Sequence, residues 1–187
     1  MKSYRMYASS INDRYIDEIV ETLRRGGVVV YPTDSTYAIG CDALSNRAVE
    51  RVCRMRGINP AKQRLSMVCA DISQASDFAS IDNKAFRLLR DNLPGPFTFI
   101  LPASPRLAKA FKGRREVGVR VSGNEIARRL ASELGNPLLS ASAIWEDADP
   151  EALGHAEEVK MRMEPLGPDA FIDAGDVPGV ETAVVSL

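Results

Sequence analysis

The sequence has 187 residues, of which 45% are hydrophobic, and its charged residues sum to a formal net charge of −1. This length is enough for one sizeable core, and no shift in composition marks a linker, so we predict one domain over residues 1–187. The chain lacks both an apolar run long enough to span a bilayer and the apolar segment of a signal peptide, which predicts a cytoplasmic protein without membrane contact.

An amphipathic helix and a buried strand come first in the chain. Asn12 is a good N-cap, and apolar residues follow it at helical spacing until Gly26 and Gly27 end the pattern. Residues 28–31 are apolar throughout, as in a strand that is covered on both faces. Pro32 stops this strand before a polar cluster, which consists of Thr33, Asp34, Ser35, Thr36 and Tyr37. Such a cluster is either a ligand-binding lip at the end of a strand or an ordinary turn.

The second predicted helix leads into two arginines. Asn46 is placed to cap this helix, and its apolar face reaches Cys53. Because a charge is costly on a buried face, we expect the helix to end near Cys53 or Met55, unless Arg56 has an anionic partner. If this stretch is extended, Arg54 and Arg56 point the same way and suit a phosphate or a carboxylate. Alternatively, they form a solvated helix end that the helix dipole favours.

Strands and helices continue to alternate along the rest of the chain. Strands are predicted over residues 65–69, 97–101, 117–121, 138–143, 170–173 and 182–185, and helices begin near residues 72, 82 and 149. Ser122 and Glu125 have the spacing of a capping box, for a further helix that Gly135 ends. His155 is expected on the exposed face of the helix that begins near residue 149. This alternation, without repeats, predicts an α/β fold.

Polar side chains within three of these strands have two interpretations each. Arg120 lies inside an apolar strand, where it is either an outward-facing residue or an inward-facing anion clamp. Thr98 either faces a ligand or fills a strand position. Ser140 and Ser142 belong to a row of small side chains, which allow close approach of either a ligand or another backbone.

The charges are distributed unevenly along the sequence. Residues 51–64 contain five basic and no acidic residues, and residues 106–120 contain six basic residues and Glu116 as the one acid. Both segments are candidates to line a positive cleft. Residues 146–158 contain six acidic residues and no lysine or arginine, which predicts a solvated acidic face.

The cysteines exclude a disulfide framework. Cys41, Cys53 and Cys69 are odd in number, widely spaced and flanked by apolar residues. This pattern favours reduced, buried thiols over disulfides. With His155 as the only histidine, we also expect no zinc cluster.

Four motifs carry a resemblance to a known family. They are Tyr31-Pro32-Thr33-Asp34-Ser35-Thr36-Tyr37-Ala38-Ile39-Gly40-Cys41, Pro94-Gly95-Pro96-Phe97-Thr98, Gly118-Val119-Arg120-Val121 and Thr182-Ala183-Val184-Val185. In this order they resemble the YrdC-like domain of threonylcarbamoyl-adenylate synthases, and most closely its YciO-like branch. The resemblance spans nearly the whole chain.

This resemblance implies a fold and an activity. The expected fold is a twisted open sheet with flanking helices around a concave basic cavity, which binds ATP, L-threonine and bicarbonate. In the family, threonine and bicarbonate give a carbamate whose oxygen attacks the α-phosphorus of ATP. The products are pyrophosphate and threonylcarbamoyl-adenylate, the precursor of a tRNA adenosine modification. Mg²⁺ is expected to arrive with ATP as a substrate complex, and no permanent cofactor or protein-held metal is expected.

The resemblance also implies site residues. Arg54 and Arg56 occupy the family's Lys-x-Arg motif and are the expected catalytic residues, and the carboxylate of threonine suits Arg120. The expected substrate-binding set is Thr33, Thr36, Tyr37, Arg120, Ser140 and Thr182, and the expected nucleotide-binding set is Arg54, Thr98 and Ser142.

Two departures from the family pattern concern the reaction. Arg54 replaces a lysine, and its planar fork does not reproduce a compact ammonium. The family's Ser-x-Asn motif ends here in Ile144, which removes an amide contact that is typically worth about 1–3 kcal/mol. We therefore expect weak or altered synthase activity. The alternatives are a non-catalytic module that binds double-stranded RNA or tRNA in the same basic cavity, and a sensor that binds ATP without consuming it.

Overall fold

Alternating strands and helices run through residues 1–107 and 115–187, the parts of the chain that this computed structural model describes. The strands are β1 (Lys2–Arg5), β2 (Val29–Pro32), β3 (Tyr37–Gly40), β4 (Ser66–Val68), β5 (Phe97–Pro102), β6 (Glu116–Arg120), β7 (Leu138–Ser142), β8 (Ala170–Asp173) and β9 (Ala183–Ser186). The helices are α1 (Asp13–Arg24), α2 (Asn46–Arg56), α3 (Ile72–Ser76), α4 (Asn83–Asn92), α5 (Glu125–Leu134) and α6 (Ala156–Met163), with 3₁₀ turns at Ala152–Gly154 and Glu164–Leu166.

These nine strands form one twisted, open, mixed sheet in the order β1-β8-β2-β3-β7-β4-β6-β5-β9. Strands β1, β8 and β2 run parallel, whereas β3 and β7 are joined to their neighbours by antiparallel pairing. On the other side of β7, β4 pairs with β6 in parallel and β5 pairs with β9 in parallel. The predicted α/β fold with a twisted open sheet and flanking helices is confirmed.

Helices cover both faces of the sheet. Successive residues of β2 point into different cores, because Val29 packs with α1 and α5 while Val30 packs with α2 and α4. The interpretation of residues 28–31 as a strand covered on both faces is therefore confirmed. Such double coverage leaves the ends of the strands, and the loops that leave them, as the places where polar groups collect.

Helix caps account for most of the correct sequence predictions. Asn12 Oδ1 accepts a hydrogen bond from the Tyr15 N–H at 3.1 Å, and α1 ends just before Gly26, whose φ is +82°. Gly135 likewise ends α5 with a φ of +79°. Cys41, Cys53 and Cys69 are free and buried, as predicted.

Several local predictions were wrong. Ser45 rather than Asn46 caps α2, and Asn124 rather than Ser122 caps α5. The Ser122 hydroxyl accepts instead from the N–H groups of Asp34 and Asn124, at 3.1 and 3.0 Å, and donates to Asp34 Oδ1. The late helix begins at residue 156 after a 3₁₀ turn, so His155 lies at its start, exposed, and not within it. The strands β1 and β3 were not predicted at all.

Helix α2 extends beyond Cys53 and Met55, where the cost of burying Arg56 predicted its end. It continues through Arg56 to a left-handed Gly57 with a φ of +63°. Of the two interpretations of Arg54 and Arg56, the extended stretch is therefore wrong and the basic helix end is correct. In the last turn of a helix, side chains two positions apart point to different sides. The two arginines therefore do not form one fork.

The distribution of charge is described only in part. Of the six acidic residues in the segment 146–158, five are exposed and Glu158 is partly buried, as predicted for a solvated acidic face. Within the basic segment 106–120, Lys109, Lys112 and Arg114 lie outside the described residues. Among the helices that are described, none is long and apolar enough to cross a membrane.

Candidate functional site

A cavity of about 290 Å³ lies where the turn after β2 meets the end of β7 and the segment before β9. Its polar lining consists of Ser35, Thr36, Arg120, Ser142, Glu181 and Thr182. Its apolar lining consists of Ile144, Ala148, Pro150, Leu153, Val180 and Val184. One part of the cavity lining is therefore polar, with hydroxyls around the Arg120 guanidinium, and the other part is apolar.

The polar lip between β2 and β3 is a hairpin turn that is held from within. The hydroxyl of Thr33 donates to the Thr36 carbonyl and accepts from the N–H groups of Ser35 and Thr36, both at 3.1 Å. Thr33 is fully buried, whereas Ser35 and Thr36 line the cavity. The cluster is therefore a turn, as one interpretation had it, and one side of it forms a cavity wall, while its role as a ligand-binding lip stays a prediction.

Arg120 is the buried charge of the cavity. Its side chain enters from the end of β6 and is about 8% exposed as a residue. Nη2 donates to Ser35 Oγ at 2.9 Å and Nη1 to Ser140 Oγ at 3.4 Å, while Nε has no hydrogen-bond partner within the described residues. Burial lowers the pKa of the Arg120 guanidinium from its ordinary value. Arg120 faces inward, so its interpretation as an outward-facing strand residue is wrong, and its role as an anion clamp stays a prediction.

The nearest carboxylate does not neutralise Arg120 directly. Asp34 Oδ1 lies 3.9 Å from Nη2, at the edge of ion-pair distance. The same carboxylate accepts from the Gly123 N–H at 2.6 Å and from Ser122 Oγ at 3.2 Å. Its acceptor capacity is therefore largely used by the turn before α5, and Arg120 keeps neutral hydroxyls as its closest partners.

A pair of threonines closes one side of the site. Thr98 Oγ1 and Thr182 Oγ1 lie 2.9 Å apart, which ties β5 to the segment before β9. Thr98 is buried and does not line the cavity, whereas Thr182 does. Thr98 therefore lies behind Thr182, and its hydroxyl reaches the cavity only through that of Thr182.

Residues 175–182, which we call the strap, end in three residues that line the cavity, Val180, Glu181 and Thr182. The N–H groups of Gly179 and Val180 donate to the Ser35 carbonyl at 2.7 and 3.1 Å, and the Val177 N–H donates to the Gly154 carbonyl at 2.9 Å. Gly179 has a φ of +69°, and a Cβ there would lie 2.9 Å from the backbone of Glu151. The strap is therefore held against the hairpin turn and the 3₁₀ turn by backbone contacts that need glycine.

Tyr37 and Ser140 support the site from inside the core. The Tyr37 hydroxyl donates to the Gly175 carbonyl at 2.6 Å and accepts from the Ala174 N–H at 3.0 Å, where the strap begins. Burial raises the pKa of Tyr37 well above its ordinary value. Neither Tyr37 nor Ser140 lines the cavity. Both lie behind its wall, as Thr33 does.

The two expected catalytic arginines lie apart from each other. Arg56 is half-buried, and its Nε donates to the Ser142 carbonyl at 2.8 Å, next to the cavity. Burial lowers the pKa of Arg56. Arg54 is exposed and lines a separate groove, and it is not among the cavity residues. Their predicted catalytic roles, and that of Arg54 toward the nucleotide, stay predictions.

Sequence reasoning missed one lining residue that the polar cluster already contained. Ser35 was not among the predicted site residues, although its hydroxyl accepts from Arg120 and its carbonyl accepts from two N–H groups of the strap. Its position between Thr33 and Thr36 was the available signal. Glu181, the carboxylate of the lining, had no such signal because it precedes the last motif.

The arrangement suits a small ligand with a carboxylate and a polar side chain. A guanidinium that is removed from water and has an unsatisfied N–H gains most from an anionic partner. The hydroxyls of Thr36, Ser142 and Thr182 offer donors and acceptors around it. No group of three metal-ligating His, Cys, Asp or Glu side chains occurs in the described part of the chain.

Comparisons with known proteins identify the family of this chain. The family model Sua5_yciO_yrdC, described as telomere recombination, matches residues 21–187. The uncharacterized protein YciO of Escherichia coli strain K12 is 36% identical over 191 residues, which cover 98% of this chain and 89% of that protein. The threonylcarbamoyl-AMP synthase of Vibrio vulnificus strain YJ016 is 34% identical over 132 residues, which cover 68% of this chain and 70% of that enzyme.

Two solved structures extend the likeness to the fold. The crystal structure of E. coli YciO superposes with a TM-score of 0.90 at 35% identity and covers 100% of this chain and 91% of that one. The structure of P. abyssi Sua5 in complex with L-threonine superposes with a TM-score of 0.86 at 26% identity, over 100% of this chain and 54% of that one. The motif resemblance is thus confirmed, and the chain belongs to the Sua5/YciO/YrdC family.

Proposed function

We propose that the cavity binds L-threonine and ATP and that the protein is a weak threonylcarbamoyl-adenylate synthase. The observation that carries this proposal is Arg120, a buried guanidinium with hydroxyl partners and an unpartnered Nε at the wall of the cavity. Such a group favours a carboxylate ligand, because the ligand would complete its hydrogen bonds in a place from which water is largely excluded. The threonine complex of P. abyssi Sua5 supports the choice of amino acid.

Each lining residue has a proposed task. Arg120 binds the carboxylate of threonine, and Thr36 and Thr182 hydrogen-bond to its polar groups. Ser142, and Thr98 through Thr182, hold the nucleotide side of the cavity. Thr33, Tyr37 and Ser140 position these groups from behind: Thr33 shapes the hairpin turn, Tyr37 anchors the start of the strap, and Ser140 accepts from Arg120.

The proposed reaction needs positioning more than covalent chemistry. The nitrogen of threonine adds to bicarbonate with loss of water, and an oxygen of the resulting carbamate attacks the α-phosphorus of ATP. The bond from that phosphorus to the bridging oxygen of pyrophosphate breaks, and pyrophosphate leaves with its Mg²⁺. Holding the reactants in line and neutralising phosphate charge supply most of the acceleration in reactions of this kind. Arg56, beside Ser142, is the described cation best placed to assist.

Ile144 and Arg54 are the reasons to expect a low rate. Ile144 lines the cavity with 38% of its surface exposed, so the hydrocarbon stands in the place from which an amide would reach a ligand. Arg54 lines the separate groove. One removed polar contact that acts in the transition state costs about one to two decades in rate.

The test is release of pyrophosphate from ATP in the presence of Mg²⁺, bicarbonate and one amino acid at a time. We expect slow release that requires both threonine and bicarbonate, with L-valine, which lacks the hydroxyl, as the matched poor substrate. A folded sample that binds ATP and shows no turnover with threonine contradicts the synthase proposal. In that case, release with a different amino acid identifies an altered specificity, and its absence with all of them leaves an ATP-binding sensor.

The RNA-binding alternative has less support in this cavity. The charged residues among its described lining are Arg120 and Glu181, one of each sign, and neither forms a continuous basic surface. A polyanion gains affinity from several solvated cations and not from a single buried one.

Three free thiols and an ATP substrate support a cytoplasmic location.

A further inference from the structure

Glu181 is the one charged side chain of the cavity lining to which the proposed function gives no task. Together with Arg120 it makes up the charged part of the described lining. Its carboxylate has no hydrogen bond or ion pair within residues 1–107 and 115–187. Because a carboxylate is an acceptor that gains from a donor, an acid that bonds to no neighbour in the wall is available to a ligand.

The backbone on both sides of Glu181 is fixed. On one side, the Val180 N–H donates to the Ser35 carbonyl at 3.1 Å. On the other side, Thr182 Oγ1 lies 2.9 Å from Thr98 Oγ1. Glu181 is an exposed residue, but the segment that carries it therefore has a set place in the cavity wall.

Ser35 connects the segment of Glu181 to Arg120. Its carbonyl holds Val180, the neighbour of Glu181, and its hydroxyl accepts from Arg120 Nη2 at 2.9 Å. The guanidinium and the carboxylate are thus anchored to the same residue. Among the described ion pairs, none joins them to each other, so both charges of the lining stay open to a ligand.

The charges around the lining add to this separation of signs. Asp34 and Arg56 lie just behind the polar part of the wall and are of opposite sign. The acidic segment, residues 146–158, supplies part of the apolar lining, and its exposed carboxylates add negative potential on that side. The cavity therefore combines one anion-binding group, Arg120, with surroundings that favour a cation beside Glu181.

A divalent metal ion is the competing cation for this carboxylate. Such ions need several oxygen ligands, whereas Glu181 is the only carboxylate among the described residues of the lining. No group of three metal-ligating side chains occurs in the described part of the chain. An organic ammonium group, which one carboxylate can bind, is the better partner.

We propose that Glu181 determines specificity by binding the ammonium group of an α-amino acid whose carboxylate is bound by Arg120. An ammonium group only donates hydrogen bonds and a carboxylate only accepts them, so each end of the zwitterion meets its complement. An α-hydroxy acid of the same shape brings negative charge without the ammonium, and Glu181 repels it. This assignment rests on the proposed binding of an amino acid in the cavity, and not on its transfer to ATP.

The experiment titrates two ligands into the protein at low ionic strength, without ATP and with EDTA to remove metal ions. The ligands are L-threonine and the dihydroxybutyrate in which a hydroxyl replaces its ammonium. The unmodified protein should bind threonine at least about tenfold more tightly. Glu181→Gln should weaken threonine binding about fivefold, as expected for an exposed charge pair, and leave the affinity for the analogue unchanged or higher. A purely structural role of Glu181 would weaken both ligands alike.

Glu146→Gln is the matched control. Glu146 is exposed and belongs to the acidic segment beside the cavity, but it is not among the lining residues. Its exchange should change either affinity by less than about twofold, because solvent screens a charge that does not contact the ligand. Glu181→Lys should reverse the preference, so that the analogue binds more tightly than threonine. Equal affinities for the two ligands in the unmodified protein, or equal losses in Glu181→Gln and Glu146→Gln, overturn the assignment.

The outcome also separates this assignment from the synthase proposal. Threonine binding that depends on Glu181, without release of pyrophosphate, contradicts the synthase and supports the assignment. Release of pyrophosphate with an unchanged KM for threonine in Glu181→Gln supports the synthase and overturns the assignment. If the unmodified protein binds no amino acid, both proposals are wrong.

Discussion

The cavity differs from the groove beside α2, which Arg25, Arg47, Arg51 and Arg54 line, in how it holds positive charge. In the cavity, Arg120 is almost fully buried and its closest partners are two serine hydroxyls. In the groove, Arg25 and Arg54 are exposed, and Arg47 is held only by a backbone carbonyl. A fixed, desolvated guanidinium selects a ligand by geometry, whereas several solvated ones attract any anion of suitable length.

The two regions also differ in how they are supported. The cavity wall depends on contacts between residues that are distant in sequence, such as Gly179 with Ser35 and Thr98 with Thr182. The groove consists mainly of one helix side and the turn that precedes β2. We therefore expect changes behind the cavity to alter both stability and ligand binding, and changes in the exposed arginines of the groove to alter stability little.

The largest expected effect follows removal of the buried charge. Arg120→Met should reduce the affinity for L-threonine by about 2–5 kcal/mol, at least thirtyfold, because the ligand carboxylate loses its partner in a desolvated place. The free energy of unfolding should stay the same or rise, since a buried cation without a close carboxylate partner is costly. Isothermal titration with L-threonine and denaturant unfolding measure the two quantities.

The control for this prediction is Arg90→Met, which removes an exposed arginine paired with Asp91 and should leave threonine affinity unchanged. Arg120→Lys keeps the charge without the fork and should recover part of the affinity. If Arg120→Met binds threonine like the unmodified protein, the assignment of the carboxylate to this residue is wrong.

The next effect concerns the strap. Gly179→Ala should destabilise the protein by about 2–4 kcal/mol, because the new Cβ adds steric overlap to the cost of a positive φ. That Cβ would lie 2.9 Å from backbone atoms of Glu151, which cannot move independently of their turn. Denaturant unfolding gives the stability, and the threonine affinity reports whether the strap is displaced from Ser35.

Gly57→Ala is the matched control for the strap. Gly57 also has a positive φ, of +63°, but a Cβ there meets nothing within 4 Å. It should lose only about 1 kcal/mol, the conformational part of the cost, and keep its threonine affinity. Equal losses in the two variants would show that the close approach of the strap contributes nothing.

The elements that the sequence predicted are those with local causes. Helix α1 was predicted because Asn12 and Gly26 lie at its ends and its apolar residues repeat at helical spacing. The family was predicted because its motifs keep their order. The fold could be inferred from these signals, since caps and periodicity act within a few residues.

The elements that the sequence did not predict have distant causes. Strand β3 consists of four buried residues beside a turn, and Ala38 and Gly40 among them are types that strands disfavour, so its formation depends on its partners in β2 and β7. Ser122 had the spacing of a cap, but its hydroxyl accepts from the N–H groups of Asp34 and Asn124, and Asn124 takes the cap position. The separation of Arg54 from Arg56 depended on one further half-turn of α2. Of the candidate site, the residue types were predictable and their division into lining and support was not.

A smaller effect is expected from restoring the amide. Ile144→Asn should raise the rate of pyrophosphate release by about tenfold, because an amide at this position would add a hydrogen bond worth about 1–3 kcal/mol. Ile144 is partly exposed, so the exchange should change stability little. Val180→Asn places an amide elsewhere in the lining and should give no such gain. An unchanged rate in Ile144→Asn would show that the departure at this position does not limit the reaction.

The smallest expected effect is the response of the cavity to salt. Raising NaCl from 50 to 200 mM shortens the screening length from about 14 to about 7 Å, which weakens exposed charge pairs and leaves close, buried ones largely unscreened. The affinity for L-threonine, measured by titration at both salt concentrations, should therefore change by less than about twofold. A threonine affinity that falls by about tenfold would mean that the amino acid is held by solvated arginines, and the distinction between the two regions would fail.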